Sequence, residues 1–111
     1  MLVSEQAEQV VGFVHFGPAT TNSEIGEVYG FYVHPTFWGE GSAQALMDEA
    51  IASMSKSFPS AILWTHTGAS RARRFYTKSG WFETGVQRQE ILWDGPVFPA
   101  VEYEKVLAPP D

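Results

Sequence analysis

Between residues 43 and 54 the apolar side chains are Ala43, Leu46, Met47, Ala50, Ile51 and Met54. Gln44, Asp48, Glu49 and Ser53 fall between them, with Lys56 just beyond. Recurrence at i, i+3, i+4, i+7, i+8 and i+11 predicts a four-turn amphipathic helix with one apolar stripe, closed by Phe58-Pro59. The chain before it has a different pattern. Residues 2–6 predict a short edge strand, and 9–16 a β-branched and aromatic strand stopped by Gly17-Pro18. Residues 19–25 are small and polar, hence a loop. Residues 27–33 predict a third strand ended by His34-Pro35, and Gly30 within it signals a bulge or a close backbone approach.

After the helix, Ala61-Ile62-Leu63-Trp64-Thr65 has the apolar run of a buried strand. Ser70 is the expected N-cap of a second helix, with Ala72, Phe75 and Tyr76 on one face and Gly80 as its stop. Two aromatic-rich strands follow over 82–92 and 97–107, joined by a turn at Asp94-Gly95, and 108–111 form a tail. The order β-β-β-α-β-α-β-β describes a mixed α/β (α+β) domain. A helix between two strands implies one parallel crossover, with antiparallel hairpins on either side.

A length of 111 residues holds one domain around one core. No apolar run approaches the ~20 residues of a membrane helix, and the first residues lack the basic start of a secretory signal. With no cysteine there is no disulfide framework and no thiolate metal site. His15 and His66 lack companions at metal spacing, so no metal is expected. These features place the chain in the cytoplasm as an expectation. A net charge of −6 disfavours nucleic acid as a partner. Four of the seven cations, Arg71, Arg73, Arg74 and Lys78, fall within eight positions. Such a cluster either presents itself to an anion or is a solvated helix face.

The segment from Pro35 to Ala43 carries the candidate chemistry. Gly39, Gly41, Ser42 and Ala43 at a helix start let the backbone approach a ligand, and the N–H groups there suit a phosphate. The dinucleotide fingerprint and the P-loop are both excluded: the third glycine of the first and the lysine of the second are missing.

Tyr32-Val33-His34-Pro35 followed by Trp38-Gly39-Glu40-Gly41-Ser42-Ala43 resembles the Q/R-x-x-G-x-G/A signature of the GNAT superfamily of N-acetyltransferases. Ala72-Arg73-Arg74-Phe75-Tyr76 with Gly80-Trp81 resembles the later A-x-x-F-Y-x-x-x-G-F helix of that family. The resemblance runs from about residue 3 to 107. It implies a mostly antiparallel sheet with a central parallel pair of strands, 27–33 and 61–65, splayed to admit acetyl-CoA. The pyrophosphate would sit on Gly39, Gly41, Ser42 and Ala43. The pantetheine arm would lie along Phe31 and Val33, with the Val33 N–H at the thioester carbonyl. Trp38 stands at the head of that loop, and Arg73 or Arg74 would touch a CoA phosphate. Glu27, eleven residues before Trp38, would deprotonate the acceptor amine through water, and Tyr76 would protonate the leaving thiolate.

Each assignment has a plainer counterpart: Glu27 as a solvent-facing strand residue, Tyr76 as helix packing, His34 as a strand-ending turn, Trp64, Trp81 and Trp93 as core or pocket wall. The sequence departs from the family pattern at Trp38 for Arg or Gln, at Glu40 beside the phosphates, and at Ala69 for Asn. It also begins at what would be the family's second strand, without a strand and two helices that help build the acceptor site. The expected activity is acetyl transfer to the amine of a small molecule or peptide. The alternative is a non-catalytic module that binds acyl-CoA or acts by oligomerising. A homodimer is expected from the sheet face left open.

Overall fold

In the computed structural model, described over residues 1–6, 9–37, 39, 41–91 and 95–107, the chain forms one six-stranded sheet and two helices. The strands are β1 (Leu2–Gln6), β2 (Gln9–Pro18), β3 (Gly26–Val33), β4 (Ser60–His66), β5 (Phe82–Ile91) and β6 (Val97–Val106). The helices are α1 (Ser42–Met54) and α2 (Ser70–Lys78), and a single 3-10 turn spans Pro35–Phe37. The spatial order is β1-β2-β3-β4-β6-β5. Only β3 and β4 run parallel, as the helix between them requires.

The apolar stripe of α1 does what its spacing predicts. Leu46, Met47, Ala50 and Met54 are buried against Val14, Val28 and Val33 of the sheet. Tyr76 of α2 joins the same cluster with Leu63, Val101 and Tyr103, so both helices cover one face. Trp81, just past α2, is 2% exposed and closes that core. Strand alternation then turns Glu27, Tyr29 and Tyr32 to the opposite face.

Two local features shape the site. His15 pairs with Gly30 but Phe16 with Val28, so Tyr29 is an extra residue on β3. This is the irregularity that Gly30 signalled, one position away. Beyond it, β3 loses its parallel partner: the β3–β4 register covers only Gly26↔Ala61, Glu27↔Ile62 and Val28↔Leu63. From Trp64 onward β4 pairs with β6 alone, so the two central strands part after three residue pairs.

Several expectations change. β2 continues through Gly17 and Pro18, which pair with Glu27 and Gly26. Ser70 is the first helical residue, not the cap. Ala69 occupies the cap position and makes no side-chain bond. Backbone groups hold that turn instead, with Ala69 N–H donating to His66 O at 2.9 Å and Ser70 N–H to Gly68 O at 2.9 Å. His34 ends its strand as a turn residue, its Nδ1 accepting from Thr36 N–H at 3.2 Å. Trp38, Glu40, Trp93, Asp94 and the tail lie outside the described residues.

Candidate functional site

Where β3 and β4 part, a cleft of about 820 Å³ opens between β3, the start of α1 and one face of α2. This is within the size range of small-molecule sites. Phe31, Tyr32 and Val33 form the β3 wall, Gly39, Gly41, Ala43 and Gln44 the α1 end, and residues 68–72 with Phe75, Tyr76 and Lys78 the α2 side. Phe31, Val33, Gly39, Gly41, Ala43 and Tyr76 were all singled out from sequence, and the fold brings them together around one space. Ser42 is buried at the first position of α1, directly behind that rim.

The glycine loop is built for backbone approach. Gly39 and Gly41 have φ of 84° and 87°, a left-handed conformation that residues with a side chain rarely adopt. Among the described residues, a Cβ at either would meet nothing within 4 Å. Conformation, not crowding by the described residues, therefore favours glycine at both positions. Gly41 O accepts the first helical bond from Ala45 N–H at 3.0 Å. The N–H groups of the first turn face forward with the positive end of the helix dipole, an arrangement suited to an anion.

The charge of the cleft runs against that of the chain. Arg71 and Lys78 line it, and among the described residues no carboxylate does. A chain of net charge −6 thus presents a cationic, largely apolar cleft. No group of three or more potential metal ligands occurs among the described residues, and no described helix is long and apolar enough to cross a membrane.

Tyr76 stands in the cleft wall at 8% exposure, edge-on to Phe31 at 6.4 Å and tilted against Tyr103 at 6.0 Å. Burial pushes its hydroxyl pKa up to about 12, so it holds its proton at neutral pH. Glu27 is 7% exposed but does not line the cleft. It lies in the paired stretch of β3, beside Gly17 and Ile62, on the helix-free face, with Oε1 accepting from Thr20 N–H at 3.4 Å.

The two arginines of α2 separate. Arg73 donates through Nε to the Tyr103 hydroxyl at 3.1 Å and through Nη1 to Thr67 O at 2.8 Å. It also pairs with Glu83. These bonds, with Tyr103 first and Glu83 second, raise its pKa further above the ordinary arginine value. Arg73 is thereby committed to holding α2 on the sheet, a role that sequence spacing could not reveal. Arg74 is exposed outside the cleft, beside an adjoining recess lined by Arg73, Thr77, Lys78 and Tyr103. Gln44 also escaped the sequence reading: it lines the cleft and accepts from Ser79 Oγ at 3.3 Å, tying the start of α1 to the end of α2.

Residues 1–83 match the family described as an acetyltransferase (GNAT) domain. The chain is 32% identical over 81 residues to an uncharacterized N-acetyltransferase of Archaeoglobus fulgidus, covering 68% of this chain and 55% of that one. It therefore spans about half the length of the curated relative it matches. Among solved structures it resembles Ard1 from Thermoplasma volcanium, with a TM-score of 0.79, 24% identity, and coverage of 93% of this chain and 67% of that one. A putative streptothricin acetyltransferase from Bacillus anthracis, solved in complex with acetyl coenzyme A, aligns with a TM-score of 0.79 at 16% identity. That alignment covers 94% of this chain and 60% of the other. Naa20 of Chaetomium thermophilum, in complex with a bisubstrate analogue, reaches 0.82 at 14% identity, covering 95% and 64%. The parted central strands, the glycine-led α1 and the family match agree: the chain belongs to the GNAT acetyltransferase family.

Proposed function

We propose that the chain binds acetyl-CoA in the cleft between β3 and α2 and transfers the acetyl group directly to an amine of a small-molecule or peptide acceptor. The observation that carries this reading is the pair of left-handed glycines at the head of α1, opening onto a cleft whose described lining holds cations and no carboxylate, where β3 has lost its neighbour. Backbone at Gly39, Gly41, Ser42 and Ala43 holds the pyrophosphate, and Trp38 at the loop head is assigned to the same contact. The pantetheine arm follows Phe31 and Val33, whose N–H polarises the thioester carbonyl.

In the transfer, Glu27 takes a proton from the acceptor ammonium through water. The freed amine forms a bond to the carbonyl carbon and the carbon–sulfur bond breaks; the thiolate takes the Tyr76 hydroxyl proton, and the second proton, shed by the new amide nitrogen, passes through water to restore the Tyr76 hydroxyl. Holding both partners in place supplies much of the rate. A protein that consumes acetyl-CoA works where that thioester is kept, so a cytoplasmic setting goes with the reading.

Self-association into a homodimer belongs to the same proposal. The β1–β2 and β2–β3 registers align Val3, Phe13 and Tyr32 in one row on the helix-free face. Val3 and Tyr32 are 45% and 46% exposed there. A second copy would bury that row, and sedimentation at rising concentration tests it.

A second reading, acyl-CoA binding without transfer, is favoured by the position of Glu27 outside the cleft lining. Thiol release from acetyl-CoA, followed across a panel of amines, separates the two. Transfer predicts turnover that falls about 10²-fold in Glu27→Gln and in Tyr76→Phe. Binding of acetyl-CoA with no turnover on any amine, alone or as a dimer, supports the second reading.

A further inference from the structure

Three aromatic rings meet at one end of the cleft. Phe31 stacks on Phe75 at 5.5 Å, Phe75 meets Tyr76 edge-on at 5.8 Å, and Phe31 meets Tyr76 edge-on at 6.4 Å. Centroids about 4.5–7 Å apart belong to rings in contact, so the three form one closed patch, and all of them line the cleft. Behind the patch the protein is packed. Val14, the partner of Phe31 across the β2–β3 ladder, and Leu63 of β4 are buried, and Tyr103 lies against Tyr76 at 6.0 Å. β3 and β4 are paired again at Val28↔Leu63, and on β3 the described lining stops at Phe31. The exposed Gly39 and Gly41 stand at the other end. The cleft is therefore open at the glycine loop and blind at the aromatic patch.

From this geometry we infer that Phe31 and Phe75 set the length of acyl group the cleft accepts, admitting acetyl and excluding longer straight-chain acyl groups. The inference rests on the acetyl-CoA reading above. With the pyrophosphate at the head of α1, the pantetheine arm runs back along β3 from Val33 towards Phe31. What the thioester carries then points at the blind end. A methyl group stops short of the rings. Each further methylene has to enter space that the Phe31–Phe75 stack holds, and parting the stack drives Phe31 towards the buried Val14. A roomy apolar cleft would behave in the opposite way, tightening about fourfold for each methylene it buries. The two cases differ in sign.

The test is calorimetric titration of the full chain with acetyl-CoA, butyryl-CoA and hexanoyl-CoA. Binding needs no acceptor amine, so the result stands apart from the identity of the acceptor. The wild type, Phe75→Ala and Phe75→Leu are compared, with folding checked by circular dichroism. Phe75→Leu removes less volume and keeps the test available where Phe75→Ala fails to fold. The wild type is expected to bind butyryl-CoA about tenfold more weakly than acetyl-CoA, and hexanoyl-CoA more weakly still. Phe75→Leu narrows that gap and Phe75→Ala closes or reverses it. Butyryl-CoA bound by the wild type as tightly as acetyl-CoA, or more tightly, overturns the inference. A gap unchanged in the folded variants overturns it too, by placing the barrier elsewhere. Failure of the folded wild type to bind any of the three refutes the acetyl-CoA reading itself.

Discussion

Phe31 of β3 and Phe75 of α2 stack with ring centroids 5.5 Å apart and planes 17° apart. Both line the cleft, so this contact joins its two walls at the depth where the strands have parted. Parallel offset rings add attraction beyond the area they bury. Phe75→Ala is expected to cost about 2 kcal/mol, less than a fully buried phenylalanine because the ring is half-buried. A urea denaturation curve with unchanged slope and a lower midpoint checks this.

Arg73 and Arg74 adjoin in sequence but differ in what they hold. Arg73→Met removes the bonds to the Tyr103 hydroxyl and the Thr67 carbonyl and the pair with Glu83, which together hold α2 against β5 and β6. Arg74→Gln removes an exposed cation with no described partner. Thermal unfolding is expected to show a clear drop in midpoint for Arg73→Met and almost none for Arg74→Gln.

Tyr76 gives a pH signature. Its folded pKa of about 12 lies above the unfolded value of 10.0. Below pH 10 both states keep the proton and stability is unaffected. Between pH 10 and 12 the unfolded chain ionises first, so stability falls through that window by about 3 kcal/mol at most. The difference between wild type and Tyr76→Phe, followed by denaturation from pH 8 to 11, should be flat to about pH 10 and then shrink. A difference that stays constant to pH 11 contradicts the burial of this hydroxyl.

Gly41 caps α1 with φ of 87°. Gly41→Ala forces a Cβ into a left-handed conformation and is expected to cost about 1 kcal/mol of stability. Beyond its chain neighbours no described residue lies within 4 Å of that Cβ, so no clash with them adds to this. Acetyl-CoA binding should fall by much more than stability, because the methyl group projects where the phosphates approach.

Much of this architecture is legible along the chain because it is written in short-range periods. The stripe from Ala43 to Met54 returns as the buried face of α1, and Gly30 announces the irregularity at Tyr29. The loop glycines and Tyr76 emerge from motif spacing and converge on one cleft. What escapes is set by contacts far apart in sequence. Arg73 meets Tyr103 across 30 positions and Gln44 meets Ser79 across 35, and no local pattern marks either pair. Ser70 misleads for a local reason: a good capping side chain is redundant where the backbone of the 66–70 turn already supplies the bonds. Gly17-Pro18 looks like a stop, yet β2 runs through it because β3 continues beside it.

The central claim, that this cleft holds acetyl-CoA, is tested most directly by calorimetric titration of acetyl-CoA into the purified chain, with ATP as the control nucleotide. The account predicts saturable one-site binding of acetyl-CoA, little heat from ATP, and loss of binding in a folded Gly41→Val variant. A folded wild-type chain that takes up no acetyl-CoA, or one that binds it unchanged after Gly41→Val, would contradict it.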